Sequence, residues 1–447
     1  MRGTPSQERP SAVPPATADK QEGTARARWA CAEAAVWTER MLKALENGVK
    51  GGKWFALIDK VWSERTLRQA WEQVRSNGGS PGVDGMTVKR FAKDSQSRLL
   101  AVKEQLRTGN YQPQPVKRVW IEKPGSREKR PLGVPTVKDR VVQSALRMVI
   151  EPIFERDFAG HSYGFRPGRG CKDALRRVDA WLKQGKTWVV DADLKGYFDS
   201  IPHGRLMELV KEKIADGRII ALLENYLKQG VLESGELSAS PEEGTPQGAV
   251  ISPLLANIYL DPLDHQMAHA GWAMVRYADD FVVLCESREE AETALRAIQQ
   301  WVESAGLQLH PEKTRVVNAE EPGGFDFLGY HFERGKKTPR EKSLKKFKDT
   351  IRQRTRRNSG QSMEKTIAVL RPVMRGWFEY FKHSRGWVFS MLDSWIRHRL
   401  RSILRRRQGR VGHARGKDNQ RWKNSHFAGL GYFSLEAAWV TAKSLRE

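Results

Sequence analysis

The 447-residue sequence predicts an α+β fold leading into a separate α-helical region, on three observations. From about Tyr111 to Arg334, short period-two runs punctuated by Gly and Pro alternate with helical patterns, as in strands and helices that share one core. After Lys336 the strand signals stop, and apolar residues recur at helical spacing among Lys and Arg. The net charge of +24 is concentrated there: Arg340 to Arg410 holds 21 basic and 5 acidic residues. A field of that sign and density points to a polyanionic partner, nucleic acid ahead of a membrane surface. No apolar run approaches the length of about 18 residues that would span a bilayer.

Residues 1–27 are of low complexity and predict a disordered tail. Residues 28–108 predict helices, with Trp54, Leu57, Ile58, Val61 and Trp62 at helical spacing and a glycine-rich loop, NGGSPGVDG, over Asn77–Gly85. Residues 109–336 carry the mixed pattern. VKRVWIEKPGSREKRPLGVPT alternates about a Pro-Gly turn, as a hairpin does, and KDRVVQSALRMVIEPIFE is helical. TWVVDADLKGYFDSIPH is a strand entering a turn, and GTPQGAVISPLLANIYLDPLD a loop before a buried helix. MVRYADDFVVLC reads as a hairpin and PGGFDFLGYHF as one more strand pair. Residues 337–432 predict a helical domain, in which Leu344, Phe347 and Ile351 share one helix face and Val388, Met391, Leu392, Trp395, Ile396, Leu400 and Ile403 another; 433–447 is expected as a tail. Cys31, Cys171 and Cys285 are too few and too far apart for a disulfide framework or a CxxC zinc site. With no apolar secretory segment following the N-terminus, a reducing, cytoplasmic setting is expected.

Asp279 and Asp280 sit side by side within the apolar MVRYADDFVVLC. Two such carboxylates in a buried hairpin cost several kcal/mol unless positive charge offsets them. Asp191, Asp193 and Asp199 lie in VVDADLKGYFD, and the apolar run Trp188–Val190 brings Asp191 and Asp193 out near a strand end on one face. If that strand lies beside the 274–285 hairpin, Asp193, Asp279 and Asp280 converge. Clustered hard oxygens suit Mg²⁺ or Mn²⁺, and two such ions can activate a primer 3′-hydroxyl and stabilise a leaving pyrophosphate.

YADD at Tyr277–Asp280 resembles the catalytic box of reverse transcriptases. Six further stretches appear in the order found in proteins encoded by bacterial group II introns: RPLGVPTVKDRVVQSAL, SYGFRPGRGCKDAL, DADLKGYFDSIPH, GTPQGAVISPLLANIYLDPLD, LHPEKTRVV and FDFLGYHF. The resemblance runs from about Trp54 to Tyr432. It implies a right-hand polymerase: the start of the fingers within 28–108, fingers and palm over 109–336, and a thumb and maturase RNA-binding domain over 337–432. By the same resemblance Asp193 and Asp279 bind two metal ions, with Asp280 as the third carboxylate. Phe198 matches the position that blocks a ribose 2′-hydroxyl, so the product is DNA. Gln247 matches the residue beneath the incoming nucleotide. Lys123 and Arg130 reach its triphosphate, Arg166 supports template or nucleotide, and Lys313 lies near primer or metals. Asp191 and Asp199 are expected as caps or supporting groups.

In the helical region Trp377, Phe378, Tyr380, Phe381, Trp387 and Trp395 alternate with cations, a pattern that can stack bases while tracking phosphates and that equally fits a plain helical core. Arg371, Arg375, Arg397, Arg399, Arg405, Arg406 and Arg407 are the candidate RNA contacts. Implied partners are an RNA template, structured intron RNA, a DNA primer or target and dNTPs, with no membrane. Relatives often add an endonuclease with Cys and His metal ligands. This chain has no Cys after Cys285, so a short, class C-like form without that nuclease is expected. The expected function is an RNA-directed DNA polymerase that assists intron splicing and retrohoming. Two alternatives remain: a stand-alone reverse transcriptase of a defence or repair system, and an RNA-binding splicing factor without polymerase activity.

Overall fold

The computed structural model describes residues 29, 32–122, 129–233, 235–238 and 242–445. The tail expected over 1–27, and Lys123, lie outside them. Helices α1 (Glu39–Asn47), α2 (Ile58–Val61), α3 (Glu64–Asn77), α4 (Val88–Ala92) and α5 (Ser95–Thr108) come first. Thr38, Ser63 and Thr87 cap α1, α3 and α4 by accepting from backbone N–H groups of the first turn. Leu67, Ala70, Trp71 and Val74 give α3 a buried stripe that packs on α6 (Val137–Glu155). Most of α6 is itself buried, so it is the pillar of the main core.

Two four-stranded sheets follow. One is the fingers-like hairpin β1 (Val116–Glu122) and β2 (Lys129–Val134), extended by β4 (Val231–Glu233) and β5 (Glu236–Ser238) in the order β2-β1-β4-β5. The other joins β3 (Trp188–Asp193), β6 (Ala273–Tyr277), β7 (Asp280–Cys285) and β8 (Arg315–Asn318) in the order β6-β7-β3-β8, every neighbour antiparallel. Alternation sorts its side chains. Val190, Ala192, Phe281, Val283 and Cys285 face the main core with α10 (Ser252–His269) and α11 (Arg288–Ser304), while α8 (His203–Lys213) and α9 (Gly217–Leu227) enclose the same core. Val189, Val282 and Leu284 face α7 (Cys171–Lys183) and a small sheet, β9 (Phe325–Phe327), β10 (Tyr330–Glu333) and β11 (Lys336–Pro339).

That small sheet joins the two regions. Tyr330 donates to the carbonyl of Tyr380 (2.5 Å), and Tyr380 donates to that of Leu328 (2.7 Å). The helical domain comprises α12 (Glu341–Arg354), α13 (Met363–Phe381), α14 (Gly386–Arg407), α15 (Gly416–Arg421), α16 (Asn424–Gly429) and α17 (Leu435–Ser444) around their own apolar core. The tail expected over 433–447 is corrected here. Leu435 is fully buried and Trp439 packs on the core, so the domain runs on through α17. Buried Asp393 explains why: it accepts from the Tyr432 and Ser434 hydroxyls and from the N–H groups of Leu435 and Glu436. Among the described residues, no helix is long and apolar enough to cross a membrane.

Candidate active site

The turn between β6 and β7 carries Asp279, and Ala278 holds it in a left-handed conformation at φ +60°. Beside it, β3 pairs with β7 in a register that sets Asp193 directly opposite Asp280. Like charges opposite each other in an antiparallel ladder repel. The alternation of β3 also puts Asp191 on the face of Asp193, so four carboxylates gather at this corner. Burial, reinforced first by Asp191 and then by Asp279 and Asp193, pushes Asp280 up to about 7. Burial pushes Asp191 up to about 6, against the opposing pull of Arg315 3.4 Å away. Asp279 is raised by burial and by Asp193, and Arg130 and Arg276 oppose the rise. Lys313 binds Asp193 at 2.6 Å.

The turn is braced from behind. Arg276 is 1% exposed. It forms a two-pronged ion pair with Asp264, donates to the Asn257 side chain (3.0 Å) and donates to the Ala278 carbonyl (2.8 Å). Asn257 in turn donates to the carbonyl of Gly164 (2.8 Å). Only glycine fits there, because a Cβ on Gly164 would lie 2.2 Å from the Ala278 nitrogen.

On the fingers side, Arg130 in β2 is exposed, and its charge opposes the rise at both Asp279 and Asp199. The TPQG loop locks onto this strand: Gly133 donates to the Gln247 carbonyl (2.7 Å), and Gly248 passes so close to Gly133 that a Cβ would sit 3.0 Å from its oxygen. Gln247 donates to Asp199 (3.1 Å), and Thr245 to the Phe198 carbonyl (2.6 Å). Phe198 is half-buried, edge-on to Tyr197. A cavity of about 300 Å³ lies here, lined by Arg118, Pro131, Asp199, Pro246 and Gln247 among others.

Arg166 does not face this space, which corrects its expected contact with template or nucleotide. It is buried, bidentate to Glu155, and donates to the carbonyls of Ala159 and Ser162. Its fork is engaged in holding the 159–166 loop. Asp191 is the opposite case, expected as a supporting group and found within the carboxylate cluster. Sequence reasoning gave no role to Arg276 and Asp264, although both lie inside the quoted motifs; an arginine in an otherwise apolar strand was the available signal.

In the helical domain the candidate arginines divide. Arg397 pairs with buried Asp393 at 3.7 Å and Arg405 with buried Asp418 at 3.0 Å, so both are engaged as internal ties. Arg371 and Arg375 are exposed, the first bonded to the Gly431 carbonyl and the second over the Phe433 ring. Arg407 is exposed and donates to the Gln361 carbonyl. Arg399 and Arg406 line a cavity of about 920 Å³ together with Arg352, Arg356, Arg357, Arg410 and His413, and no carboxylate is among its described lining residues. The aromatics are mostly core: Phe378 and Phe381 are buried, Trp377 stacks on Phe347, and Arg352 and Arg399 cover Trp395. Trp387 is exposed.

Residues 121–332 match the reverse transcriptase (RNA-dependent DNA polymerase) family, and residues 344–422 the group II intron maturase-specific domain. Protein YkfC of Escherichia coli is 36% identical over an alignment covering 56% of this chain and 75% of that protein. The group II intron-encoded protein LtrA of Lactococcus lactis is 40% identical over 44% of this chain, which spans only 32% of its length. A solved partial Cas6-RT-Cas1–Cas2 complex aligns at 27% identity, covering 56% of this chain and 41% of that one, with a TM-score of 0.36, too low to bear on the fold. The carboxylate corner lies in the first matched region and the arginine-lined cavity around the second, in that chain order, and the chain belongs to the group II intron reverse transcriptase and maturase family.

Proposed function

We propose that this protein extends a primer on an RNA template with deoxynucleotides, and that it binds group II intron RNA to assist its splicing and retrohoming. The observation that carries the reading is the register that sets Asp193 across from Asp280, beside the Asp279 turn and facing Arg130.

Members of this family use divalent metal ions. Among the described residues, no three ligating side chains are already closed around a common point. The donor set nevertheless fits a hard cation, because burial and the neighbouring acids raise Asp279 and Asp280 in spite of the opposing pull of Arg130, Arg276 and Arg340. Asp193 and Asp279 would hold two ions, Mg²⁺ with Mn²⁺ as a substitute, and Asp280 stands beside them. When bound, such ions lower the pKa of a primer hydroxyl and offset charge on a leaving pyrophosphate.

The protein's own groups do the rest. Lys313 neutralises Asp193 until a cation replaces it. Arg130 offers the triphosphate a planar fork. Gln247, tethered through Asp199, supports the nucleotide, and the Phe198 ring fills the space a 2′-hydroxyl would need. In the helical domain, the arginine-lined cavity binds the backbone of folded intron RNA through its phosphates. The test is primer extension on an RNA template with Mg²⁺ and labelled dNTPs, comparing wild type with Asp279→Ala/Asp280→Ala. Long cDNA from wild type alone supports the reading. No product from folded wild type would leave an RNA-binding splicing factor.

A further inference from the structure

Phe165 is left unexplained by the site just described. Its φ is +57°, a region in which a bulky L residue crowds its own backbone. The residue is 51% exposed, so burial does not offset that strain. The ring centroid lies 6.4 Å from that of Tyr277, the first residue of the YADD turn.

The strain persists because both neighbours are locked. Gly164 is pressed against the backbone of Ala278 and bonded to Asn257, and Arg166 is buried with its fork engaged by Glu155. The preceding residues are stitched to β6: Tyr163 donates to the Arg276 carbonyl (2.9 Å), and Arg276 donates to that of His161 (3.0 Å). The Arg276 side chain also holds the Ala278 carbonyl. One buried residue therefore fixes both the carboxylate turn and the loop that presents Phe165. Backbone strain in an over-determined loop is characteristic of groups held for a ligand.

We infer that Phe165, with Tyr277, forms an apolar platform for the sugar and base of the primer–template duplex next to the reaction centre. This inference rests on the polymerase reading. A protein partner fits poorly, because anything large enough to cover Phe165 and Tyr277 would also cover Asp279, whereas a nucleotide presents a flat apolar face at the right scale. Phe165 is thus a duplex-contacting residue that sets the position of the primer end and takes no part in the chemistry.

The φ angle supplies an unusual test. Glycine adopts the left-handed region freely, so Phe165→Gly relieves the backbone while deleting the ring. Binding of an RNA–DNA primer–template duplex is measured by fluorescence anisotropy without dNTPs, alongside the Tm and the KM for primer–template. Phe165→Gly is expected to keep or raise the Tm and to weaken duplex binding by about tenfold, with the KM for dNTP little changed. Phe165→Tyr is expected to bind as wild type, and Phe165→Leu to fall between. Unchanged affinity in Phe165→Gly overturns the inference, as does a fall in Tm that accounts for all the lost binding and is reversed in Phe165→Leu. Wild type that binds duplex without extending it would sink the polymerase reading and leave the Phe165 comparison intact.

Discussion

Asp193 stands directly across the ladder from Asp280, and the two carboxylates share their corner with Asp279 and Asp191. The folded protein therefore holds protons at this corner that the unfolded chain releases. Asp280 titrates at about 7 and Asp191 at about 6, against an ordinary value of 3.8. With folded values raised, the contribution to stability is full below about pH 4 and is lost as pH climbs to 7, on the order of a few kcal/mol for Asp280. The expected result is a Tm in EDTA that falls between pH 5 and pH 8, and a smaller fall in Asp280→Asn. Mg²⁺ at pH 8 should restore the Tm by binding the folded state. An identical pH slope in wild type and Asp280→Asn would show that the cluster is not the source.

Arg276 and Asp264 form a fully buried pair, and loss of one member strands the other's charge. Asp264→Ala is expected to cost about 3–5 kcal/mol in denaturant unfolding. Replacing both, as Arg276→Met/Asp264→Leu, should restore much of that stability. It should not restore activity, because the Ala278 carbonyl loses its donor and the turn its brace. A double variant with normal primer extension would mean that the turn holds itself.

Lys313 competes for Asp193. Lys313→Ala should lower the Mg²⁺ concentration giving half-maximal primer extension by severalfold. A raised requirement would instead make Lys313 a group that helps assemble the site.

Phe198 is expected to exclude ribonucleotides by its bulk. Phe198→Val should narrow the ratio of kcat/KM for dNTP over rNTP by about tenfold or more, with the Tm little affected because the ring is only half-buried. An unchanged ratio would make Phe198 a partner of Tyr197 and nothing further.

The arginine-lined cavity predicts a separable RNA function. Replacing Arg356, Arg406 and Arg410 together with Ala should weaken intron RNA binding and reduce the slope of log affinity against log salt by about 2. Extension of a short primer–template should be unaffected. Parallel loss of both activities would mean that the helical domain grips the duplex through the same surface.

The fold could be read from the sequence wherever one face of an element is apolar and the other is not. The β1–β2 and β6–β7 hairpins and α14 announce themselves by period. Strand β8 does not, because RVVN is four residues long and flanked by charge, and it becomes a strand only by pairing with β3. The carboxylates of the site were legible because acids in apolar strands need a reason. What the sequence could not convey is which cations turn inward. Arg166, Arg397 and Arg405 look in one dimension like Arg130, Arg399 and Arg406. Their burial depends on carbonyls and on acids such as Glu155, Asp393 and Asp418 that fold back from elsewhere in the chain. The last helix was missed for the same reason, since its anchor Asp393 lies about forty residues upstream.

That anchor has a practical consequence for handling the molecule. Trimming the chain after Tyr432 would look harmless, because the motifs end there. It would instead strip three of the four donors named above from a carboxylate sealed in the core, and it would remove Trp439 from over Gly386, where the helix carrying the cavity's Arg399 and Arg406 begins. Truncations meant to separate synthesis from RNA binding should therefore spare α17; losing it would damage the scaffold of the second activity before any contact with RNA was tested.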